Sequence, residues 1–383
     1  MTVLWIDLLS EMGGAQHSLY EVCTTLHQKG VDVVAAVPYG PLYERLKSAG
    51  IKVFPVSAVR ARKHGWGFFV TAAKLMRAPG TVLQIIRAVK PDIVHTNSLP
   101  AFLAASRTQT AIPVIWHVRD MRLPELIARE AAKKAARIIA VSEAVDEYLV
   151  DILSPRILGR IRVIRNGIDA SRFAVTDKAT ARTRVGLPPS APVIGMIAHL
   201  VPWKRHDAFI EAAAAIHRQR PDAHFVVAGR DLFHEHSRLS SELKEQVAQA
   251  GLTPCFHWIR DLDSSEEILP AFDVLLHPAL REPFGRVLCE AMAAGVPIVA
   301  AESGGSASLI TQHVSGILVR DGDSQQMAEQ ALALLANPAR AAELAAAGRS
   351  LVQAQYTTSR VCEQLEKEYR ALLTSLTVHD DDE

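Results

Sequence analysis

The segment REPFGRVLCEAMAAGVPIVAA, Arg281–Ala301, predicts a helix followed by a buried strand. Pro283 suits the first helical position, because its fixed φ is helical and its missing N–H would lack a partner there anyway. Gly295, followed by a Val-Pro pair, predicts the end of the helix. The run IVAA after it is short and apolar, which favours a strand. The apolar residues at helical spacing between these limits are Val287, Leu288, Ala291 and Met292.

The same alternation of helical and strand-like segments extends outward along both halves of the chain. In the first half, the strand-like runs are VLWIDLL, VDVVAAV, IKVFPV, PDIVH, IPVIWHV and ARIIAVS. In the second half, they are VIGMIAHL, AHFVVAG, CFHWI, FDVLLHP, VPIVAA and SGILV. Such alternation is typical of a parallel sheet covered on both faces. It predicts the α/β class, with two doubly wound domains and a cleft between them, near the carboxyl ends of their strands.

The chain length also favours two domains, since 383 residues exceed what one hydrophobic core usually holds. The alternation pauses between RIRVIRNGIDASRF and GLPPSAP, so the boundary is predicted near residues 168–190. We expect an N-terminal domain over 1–170 and a C-terminal domain over 185–355. The final segment, about 357–375, is predicted to be an amphipathic helix that packs back on the first domain.

Composition excludes several classes of protein. The composition, 49% hydrophobic and 22% charged residues, is typical of a globular protein. The formal net charge of +1 argues against nucleic-acid binding through a strongly basic surface. The four cysteines lack CxxC spacing, which favours buried free thiols in a reducing compartment. The N-terminal run carries Asp7 and Glu11 without a basic region or a long apolar core, so neither a signal peptide nor a membrane span is predicted. We expect a cytoplasmic location.

Two glutamates flank the start of the predicted helix, Glu282 and Glu290. If both belong to it, eight residues separate them by about 12 Å along the axis and about 80° around it. One elongated ligand rich in hydroxyl groups can then contact both carboxylates. The helix N-terminus, with Gly285 allowing close approach, suits a phosphate. The alternative is a solvated helix with two ordinary surface acids.

A longer segment, PALREPFGRVLCEAMAAGVPIVAAESGGSASLI, resembles the signature of the retaining glycosyltransferases of family 4, or glycosyl transferases group 1. Further segments that resemble the family follow one another along the chain: GGAQHSLYEV, PDIVHTN, IWHVRD, ARIIAVSEAV, VIRNGID and PWKRHDAFIEAAA. The resemblance implies a GT-B fold with two facing Rossmann-like domains. It also implies hexosyl transfer with retention, from a nucleotide-diphosphate sugar to an acceptor hydroxyl, in polysaccharide or glycoconjugate assembly. No metal and no other cofactor is implied.

The resemblance assigns roles to residues of the second domain. It implies that Glu282 faces the donor sugar, that Glu290 binds the ribose diol, and that Lys204 neutralises the diphosphate. Family members carry an arginine where this chain has His199, and a glycine where it has Arg205. This difference leaves part of the phosphate site unassigned, with Arg205 or Arg286 as substitutes. The residues expected at the helix N-terminus near the diphosphate are Phe284, Gly285, Arg286 and Val287.

In the first domain, Gly13 and Gly14 follow the first strand and allow close approach of the backbone to a ligand. The absence of G-x-G-x-x-G argues against NAD binding. His117 ends the run IPVIWHV, and the resemblance implies that it contacts the reacting sugar. A histidine in this position is otherwise structural. Candidates on the acceptor side are Asn97, Ser98, Arg119 and Asp120.

Metal sites are not predicted. Asp261 and Asp263 form a D-x-D pair of the kind that holds a divalent cation under a diphosphate, but this spacing is common by chance. His234 and His236 lack a third ligand at a recognisable spacing, which argues against zinc.

A basic and aromatic segment, Val59–Pro79, predicts peripheral contact with the inner face of a membrane and a lipid-linked acceptor. Basic residues attract anionic lipids, and aromatic side chains favour the interface. The alternative is a loop and helix packed on the first domain. The residues concerned are Arg60, Arg62, Lys63, Lys74 and Arg77, with Trp66, Phe68 and Phe69.

Two other functions fit the same fold. A nucleotide-sugar epimerase would need general acid and base groups on the sugar. A non-catalytic module would bind nucleotide sugar or glycan without turnover. Incubation with the donor alone separates these alternatives from transfer, because an epimerase changes the sugar and a binding module leaves it intact.

Overall fold

The computed structural model describes five stretches of the chain, 1–59, 66–174, 177–232, 236–260 and 264–380. Within them it describes every side chain except those of 66–73, 174 and 376–380. Six residues of the predicted membrane segment and metal motifs lie outside these stretches, namely Arg60, Arg62, Lys63, His234, Asp261 and Asp263. The chain divides into two compact units, Met1–Gly167 with Thr358–Glu383, and Ile168–Thr357.

The first unit is built on one parallel sheet. Its strands are β1 (Thr2–Ile6), β2 (Asp32–Val37), β3 (Lys52–Pro55), β4 (Ile93–Thr96), β5 (Val114–Val118), β6 (Arg137–Ala140) and β7 (Ile161–Val163). Its helices include α1 (Gly14–Gln28), α2 (Pro41–Ser48), α3 (Trp66–Val89), α4 (Leu99–Ala105), α5 (Glu125–Lys134), α6 (Glu143–Ile152) and α7 (Pro155–Leu158). In the described part of the unit the sheet has seven strands in the order β3-β2-β1-β4-β5-β6-β7. The strand order therefore reverses between β1 and β4.

The second unit repeats this plan. Its strands are β8 (Val193–Ile197), β9 (His224–Ala228), β10 (Phe256–Ile259), β11 (Val274–His277), β12 (Ile298–Ala301) and β13 (Ile317–Val319). Its helices are α8 (Lys178–Arg184), α9 (His206–Gln219), α10 (Ser237–Gln249), α11 (Arg286–Ala294), α12 (Gly305–Leu309), α13 (Ser324–Ala336) and α14 (Pro338–Gln355). Among the described residues the sheet has six strands in the order β10-β9-β8-β11-β12-β13, so its order reverses between β8 and β11.

Both sheets are buried between helices, which confirms the predicted α/β class. In β1, for example, every residue from Val3 to Ile6 is completely buried. Each large apolar side chain removed from water in this way contributes about 1.5–3 kcal/mol. The four cysteines are also buried and unpaired.

The last helix, α15 (Thr358–Asp380), belongs to the first unit although it follows the second in sequence. Its buried residues recur at helical spacing and join the same apolar cluster as α1 and β1. These residues are Val361, Cys362, Leu365, Tyr369 and Leu372. Among the described helices, none combines the length and the apolar character needed to cross a membrane.

Candidate active site

The predicted acid and lysine of the second unit meet where its strand order reverses. Lys204 follows β8, and Glu282 follows β11. In open parallel sheets, ligands bind outside the carboxyl ends of the strands at this reversal. The two loops are joined directly, because the backbone N–H of Leu280 donates to the carbonyl of Trp203 at 2.8 Å.

Glu282 is ionised although it is buried. Its side chain accepts hydrogen bonds from Lys204 Nζ and, at 3.2 Å, from His277 Nε2. Burial alone would raise the pKa of the carboxyl. The positive charge of Lys204 and the hydrogen bond from His277 outweigh burial and lower this pKa from 4.5 to about 2. The site therefore holds a fixed carboxylate, an acceptor-only group that suits sugar hydroxyls.

His277 is a member of this cluster that the sequence reasoning missed. It is the last residue of β11 and is completely enclosed, with 1% of its surface exposed. Burial lowers its pKa, so the ring is neutral at pH 7. Because the carboxylate of Glu282 can only accept, Nε2 of His277 carries the proton. The sequence signal was its position at the end of the apolar run FDVLLHP, five residues before the acid.

A pair of glycines fixes the backbone of Glu282. The N–H of Gly305 donates to the Glu282 carbonyl at 2.6 Å, and Gly304 forms an isolated parallel bridge with Glu282. A Cβ atom on Gly304 would lie 2.5 Å from the Glu282 oxygen, and one on Gly305 would lie 2.5 Å from the Phe284 oxygen. No side chain fits at either position. The Gly-Gly turn thus lets the chain pass close enough to hold the acid.

The start of α11 differs from the prediction. The helix begins at Arg286, after Gly285 in the left-handed conformation with φ +93°, and the prediction that Pro283 opens the helix is wrong. The reason is that Glu282 is held in a bridge to Gly304, and Gly285 supplies the turn into the helix. The separation of about 12 Å calculated for two helical glutamates therefore does not apply, since only Glu290 is helical.

Glu290 lies in α11 and is half-buried. Its carboxylate accepts a hydrogen bond from Ser265 Oγ at 2.6 Å and one from Arg286 Nε at 2.7 Å. The arginine lies one helical turn earlier, a spacing at which side chains meet. The charge of Arg286 is therefore balanced by Glu290, so it is a weak substitute for a phosphate-binding arginine.

The other basic candidates near Lys204 differ in charge and in partners. Burial, together with the charges of Lys204 and Arg230, lowers the pKa of His199 to about 4. His199 is thus neutral at pH 7 and offers a hydrogen bond rather than a positive charge. Arg205 has a left-handed φ of 55°, and its Nε lies 3.0 Å from the carboxylate of Asp207. Arg230, exposed after β9, is a cation that the sequence reasoning missed.

In the first unit, the corresponding reversal between β1 and β4 holds a buried acid, Asp7. Its carboxylate accepts from Gln16 Nε2 at 2.9 Å, from Asn97 Nδ2 at 2.9 Å and from Ser98 Oγ at 3.1 Å. Two of the four predicted acceptor-side residues, Asn97 and Ser98, therefore donate hydrogen bonds inward to Asp7. Asp7 and Gln16 were not predicted as site residues, although Asp7 lies within the first strand-like run, VLWIDLL, and directly follows β1.

The other predicted residues of this unit have clear positions. Arg119 donates through Nε to Asn97 Oδ1 at 2.6 Å and through Nη1 to Asn166 Oδ1 at 2.7 Å. Asp120 is exposed and accepts from the backbone N–H of Arg122 at 3.0 Å. Gly13 is the N-cap of α1, with an extended φ of −113°, and Gly14 is the first helical residue.

His117 is enclosed, with 1% of its surface exposed. Its Nδ1 lies 3.0 Å from Nε2 of His95. Burial and the nearby charge of Arg119 hold the pKa of His117 well below its usual value, so the ring is neutral. Its other nitrogen, Nε2, is buried and has no hydrogen-bond partner in the described part of the chain. A buried ring nitrogen in this condition is rare.

Within 1–59, 66–174, 177–232, 236–260 and 264–380, no group of three or more histidine, cysteine, aspartate or glutamate side chains is arranged to hold a metal ion. Asp261, Asp263 and His234 lie outside these ranges. Metal independence therefore stays a prediction.

Comparison with known proteins gives matches along most of the chain. A family model described as Glycosyltransferase Family 4 matches residues 12–172. One described as Glycosyl transferases group 1 matches residues 177–351. The lipopolysaccharide core biosynthesis mannosyltransferase LpsB of Rhizobium meliloti is 28% identical over an alignment of 335 positions that covers 78% of this chain and 95% of LpsB. A GDP-mannose-dependent alpha-mannosyltransferase of Mycobacterium tuberculosis is 27% identical over an alignment of 388 positions that covers 96% of this chain and 95% of that protein.

Solved structures agree on the fold. Anabaena Alr3699/HepE, crystallised with UDP-glucose, has a TM-score of 0.84 at 22% identity, and the match covers 97% of this chain and 100% of the HepE chain. Sucrose-phosphate synthase of Thermosynechococcus elongatus has a TM-score of 0.83 at 19% identity, and the match covers 98% of this chain and 100% of the synthase chain. This likeness confirms the predicted GT-B fold. Because the two family models also match consecutive segments over most of its length, the chain belongs to the family 4 glycosyltransferases, the glycosyl transferases group 1.

Proposed function

We propose that this glycosyltransferase moves a mannosyl group from GDP-mannose to a hydroxyl of a glycan or lipid-linked acceptor, with retention and without a metal ion. The observation that carries the proposal is the buried cluster of Lys204, Glu282 and His277 at the strand reversal of the second unit. Such a cluster combines a fixed carboxylate for sugar hydroxyls with a fixed cation for a diphosphate.

Lys204 is suited to stabilise the leaving group. An ammonium group has three N–H donors, and Glu282 takes one of them, which leaves donors for phosphate oxygens. The N–H groups of the first turn of α11 and the positive end of its dipole add to this field. Preorganised positive charge of this kind acts where negative charge develops in the transition state. The proposal gives these groups the role that a divalent cation has in other enzymes.

The reaction then needs no protein base. The bond between the sugar C1 and the phosphate oxygen breaks, and its electron pair stays on the leaving diphosphate. The acceptor hydroxyl oxygen attacks C1 on the same face, and its proton passes to the diphosphate oxygen. Glu282 holds the sugar hydroxyls throughout, because an ionised carboxylate strengthens its hydrogen bonds as positive charge grows on the sugar.

The donor is proposed from the relatives that align over most of their own length. The Rhizobium meliloti protein is named as a mannosyltransferase, and the Mycobacterium tuberculosis protein is named as GDP-mannose-dependent. Both contribute to the choice of mannose, and the second contributes the choice of guanine nucleotide. In the proposal, Lys204 and Glu282 bind the diphosphate and the sugar hydroxyls and do not contact the nucleobase. The choice of guanine is therefore supported by the relatives alone.

A panel of nucleotide sugars tests the proposal. We expect release of GDP from GDP-mannose to exceed nucleotide release from UDP-glucose, UDP-N-acetylglucosamine and GDP-fucose, with and without EDTA. With an acceptor, proton NMR of the product should show an α-mannosyl linkage. A β linkage would overturn retention, and a loss of rate in EDTA that manganese restores would overturn metal independence. Appearance of an epimerised sugar from the donor alone would replace transfer with epimerisation.

We also propose peripheral contact with anionic membranes through the segment 59–79. Of its described side chains, Lys74 and Arg77 are exposed, and Met76 between them is 82% exposed. An apolar side chain flanked by cations suits an anionic lipid surface, which attracts each basic residue by about 1 kcal/mol. The basic residues at 60, 62 and 63 lie outside the described residues.

Flotation with vesicles rich in anionic lipid tests this contact. We expect the wild type to float at low salt, where the attraction is strongest, and the variant Lys74→Glu/Met76→Ser/Arg77→Glu to stay at the bottom. A control with the same change in charge, Arg218→Glu/Lys244→Glu, alters exposed residues of the second unit and should float. Failure of the wild type to float would overturn the proposal and favour a soluble acceptor.

A further inference from the structure

Three buried side chains link α15 to the end of β5. Nδ1 of His95 lies 2.7 Å from Oη of Tyr369, and Nε2 of the same ring lies 3.0 Å from Nδ1 of His117. Trp5 stacks on His95 with ring centroids 3.7 Å apart and planes inclined by 17°. All four residues are at most 1% exposed. The result is a buried series of two hydrogen bonds, from Tyr369 to His95 and from His95 to His117.

Arg119 fixes the direction of the hydrogen bonds at one end. Its Nη2 lies 3.4 Å from Nδ1 of His117. A guanidinium group has N–H donors and no acceptor, so a lone pair on Nδ1 is favoured over a second N–H. The proton of the neutral His117 ring then lies on Nε2. His95 must in turn donate through its own Nε2 and accept through Nδ1.

Tyr369 completes the chain at the other end. With Nδ1 of His95 as an acceptor, the phenol O–H is the donor that it requires. Burial raises the pKa of Tyr369 well above its usual value, so the phenol keeps its proton. Burial and the charge of Arg119 hold the pKa of His95 well below its usual value, which keeps that ring neutral. In the series of hydrogen bonds from Tyr369 through His95 to His117, every donor therefore has an acceptor except Nε2–H of His117. That group has no acceptor among the described residues.

We propose that Tyr369 and His95 are positioning residues that hold His117 as its Nε2–H tautomer, so that His117 donates a hydrogen bond to a hydroxyl oxygen of the donor sugar. The inference rests on the proposed function for the identity of the ligand. It rests on the three contacts above for the tautomer. A buried N–H without a partner is destabilising, and a hydroxyl oxygen at this nitrogen would supply the missing acceptor. The last helix of the chain thereby acts on the site through two side chains.

The tautomer can be measured without any substrate. In protein labelled with ¹⁵N-histidine, long-range ¹H–¹⁵N spectra distinguish the Nε2–H tautomer, the Nδ1–H tautomer and imidazolium. The His117 signals are those lost in His117→Gln. We expect the Nε2–H pattern for His117 and for His95 in the wild type, and a mixture of both tautomers for His117 in Tyr369→Phe. An Nδ1–H or imidazolium pattern for His117 in the wild type would overturn the proposal.

Kinetics with the best donor give a second readout. We expect Tyr369→Phe to lower kcat by about threefold to tenfold, equivalent to one ordinary hydrogen bond, and to leave the donor KM within about twofold. The control is Tyr20→Phe, at a partly buried tyrosine that packs against the same apolar cluster and whose hydroxyl has no hydrogen bond among the described residues. It should leave kcat and the His117 spectrum unchanged.

The two arms separate this inference from the proposed function. If no nucleotide sugar is turned over, the proposed function fails, and the wild-type spectrum still decides the tautomer. If Tyr369→Phe has the wild-type spectrum and the wild-type kcat, Tyr369 does not position His117 and the inference is wrong, whichever donor the enzyme uses. If Tyr369→Phe does not fold, which thermal melting detects, the wild-type tautomer alone supports or overturns the inference.

Discussion

Replacing Glu282 with glutamine is expected to lower kcat by about 10²-fold to 10³-fold, the usual cost of removing one charge-stabilising group from an active site. The amide has the size of the carboxyl group and its oxygen still accepts the hydrogen bond from His277. The negative charge, which the Lys204 ammonium and the His277 hydrogen bond hold in place, is lost. Nucleotide release from GDP-mannose with acceptor present measures the effect, with circular dichroism to confirm folding.

The matched comparison is Glu290→Gln, eight residues later. We propose that Glu290 binds the ribose, away from the reacting carbon, so its loss should raise the donor KM about tenfold, within the range for hydrogen bonds to charged groups, and change kcat little. The two variants thus separate catalysis from binding. Wild-type kcat and donor KM in both variants would show that neither glutamate contacts the donor.

The α/β fold was predictable because periodicity is a local property. Apolar runs of strand length separated by helical segments occur throughout both halves of the chain, and parallel sheets need this pattern to bury both faces. The beginning of α11 was not predictable in the same way. Pro283 is compatible with a first helical turn, but the chain there is held by Gly304, more than twenty residues later. A contact with a distant segment overrode the local preference.

The candidate site shows the same limit. Glu282, Lys204 and His117 were found through their resemblance to family motifs, and their partners were not. His277 was hidden in an apolar run, and Tyr369 reaches His95 across 274 positions of sequence. The neutral state of His199 also needed the structure, since burial rather than residue type lowers its pKa to about 4. Sequence identifies residues that can ionise, and their surroundings decide whether they do.

Replacing Lys204 with methionine should affect catalysis and stability together. Loss of the cation is expected to lower kcat by about 10²-fold, because the leaving diphosphate loses a fixed positive charge. It also leaves Glu282 buried with only His277 as a partner, and breaking a buried ion pair in this way costs about 3–5 kcal/mol. Nucleotide release and urea unfolding at pH 7 measure the two effects. Lys244→Met, at an exposed lysine of the same unit, is the control and should change neither.

The pH dependence of the free energy of unfolding shows whether ionised Glu282 stabilises or destabilises the folded state. In the wild type the pKa of Glu282 is lowered from 4.5 to about 2, so the stability from its ionised form is full above pH 4.5 and is lost as the pH falls toward 2. Without Lys204, burial is no longer opposed by a nearby cation and the pKa of Glu282 rises. The difference in unfolding free energy between the wild type and Lys204→Met should therefore be largest at pH 7 and shrink as the pH falls and Glu282 becomes protonated in both proteins. The double variant Lys204→Met/Glu282→Gln leaves no charge in the cluster and should recover most of the lost stability while remaining inactive. If the double variant were active, or if Lys204→Met unfolded and turned over like the wild type, the ion pair would have neither the structural nor the catalytic role assigned to it.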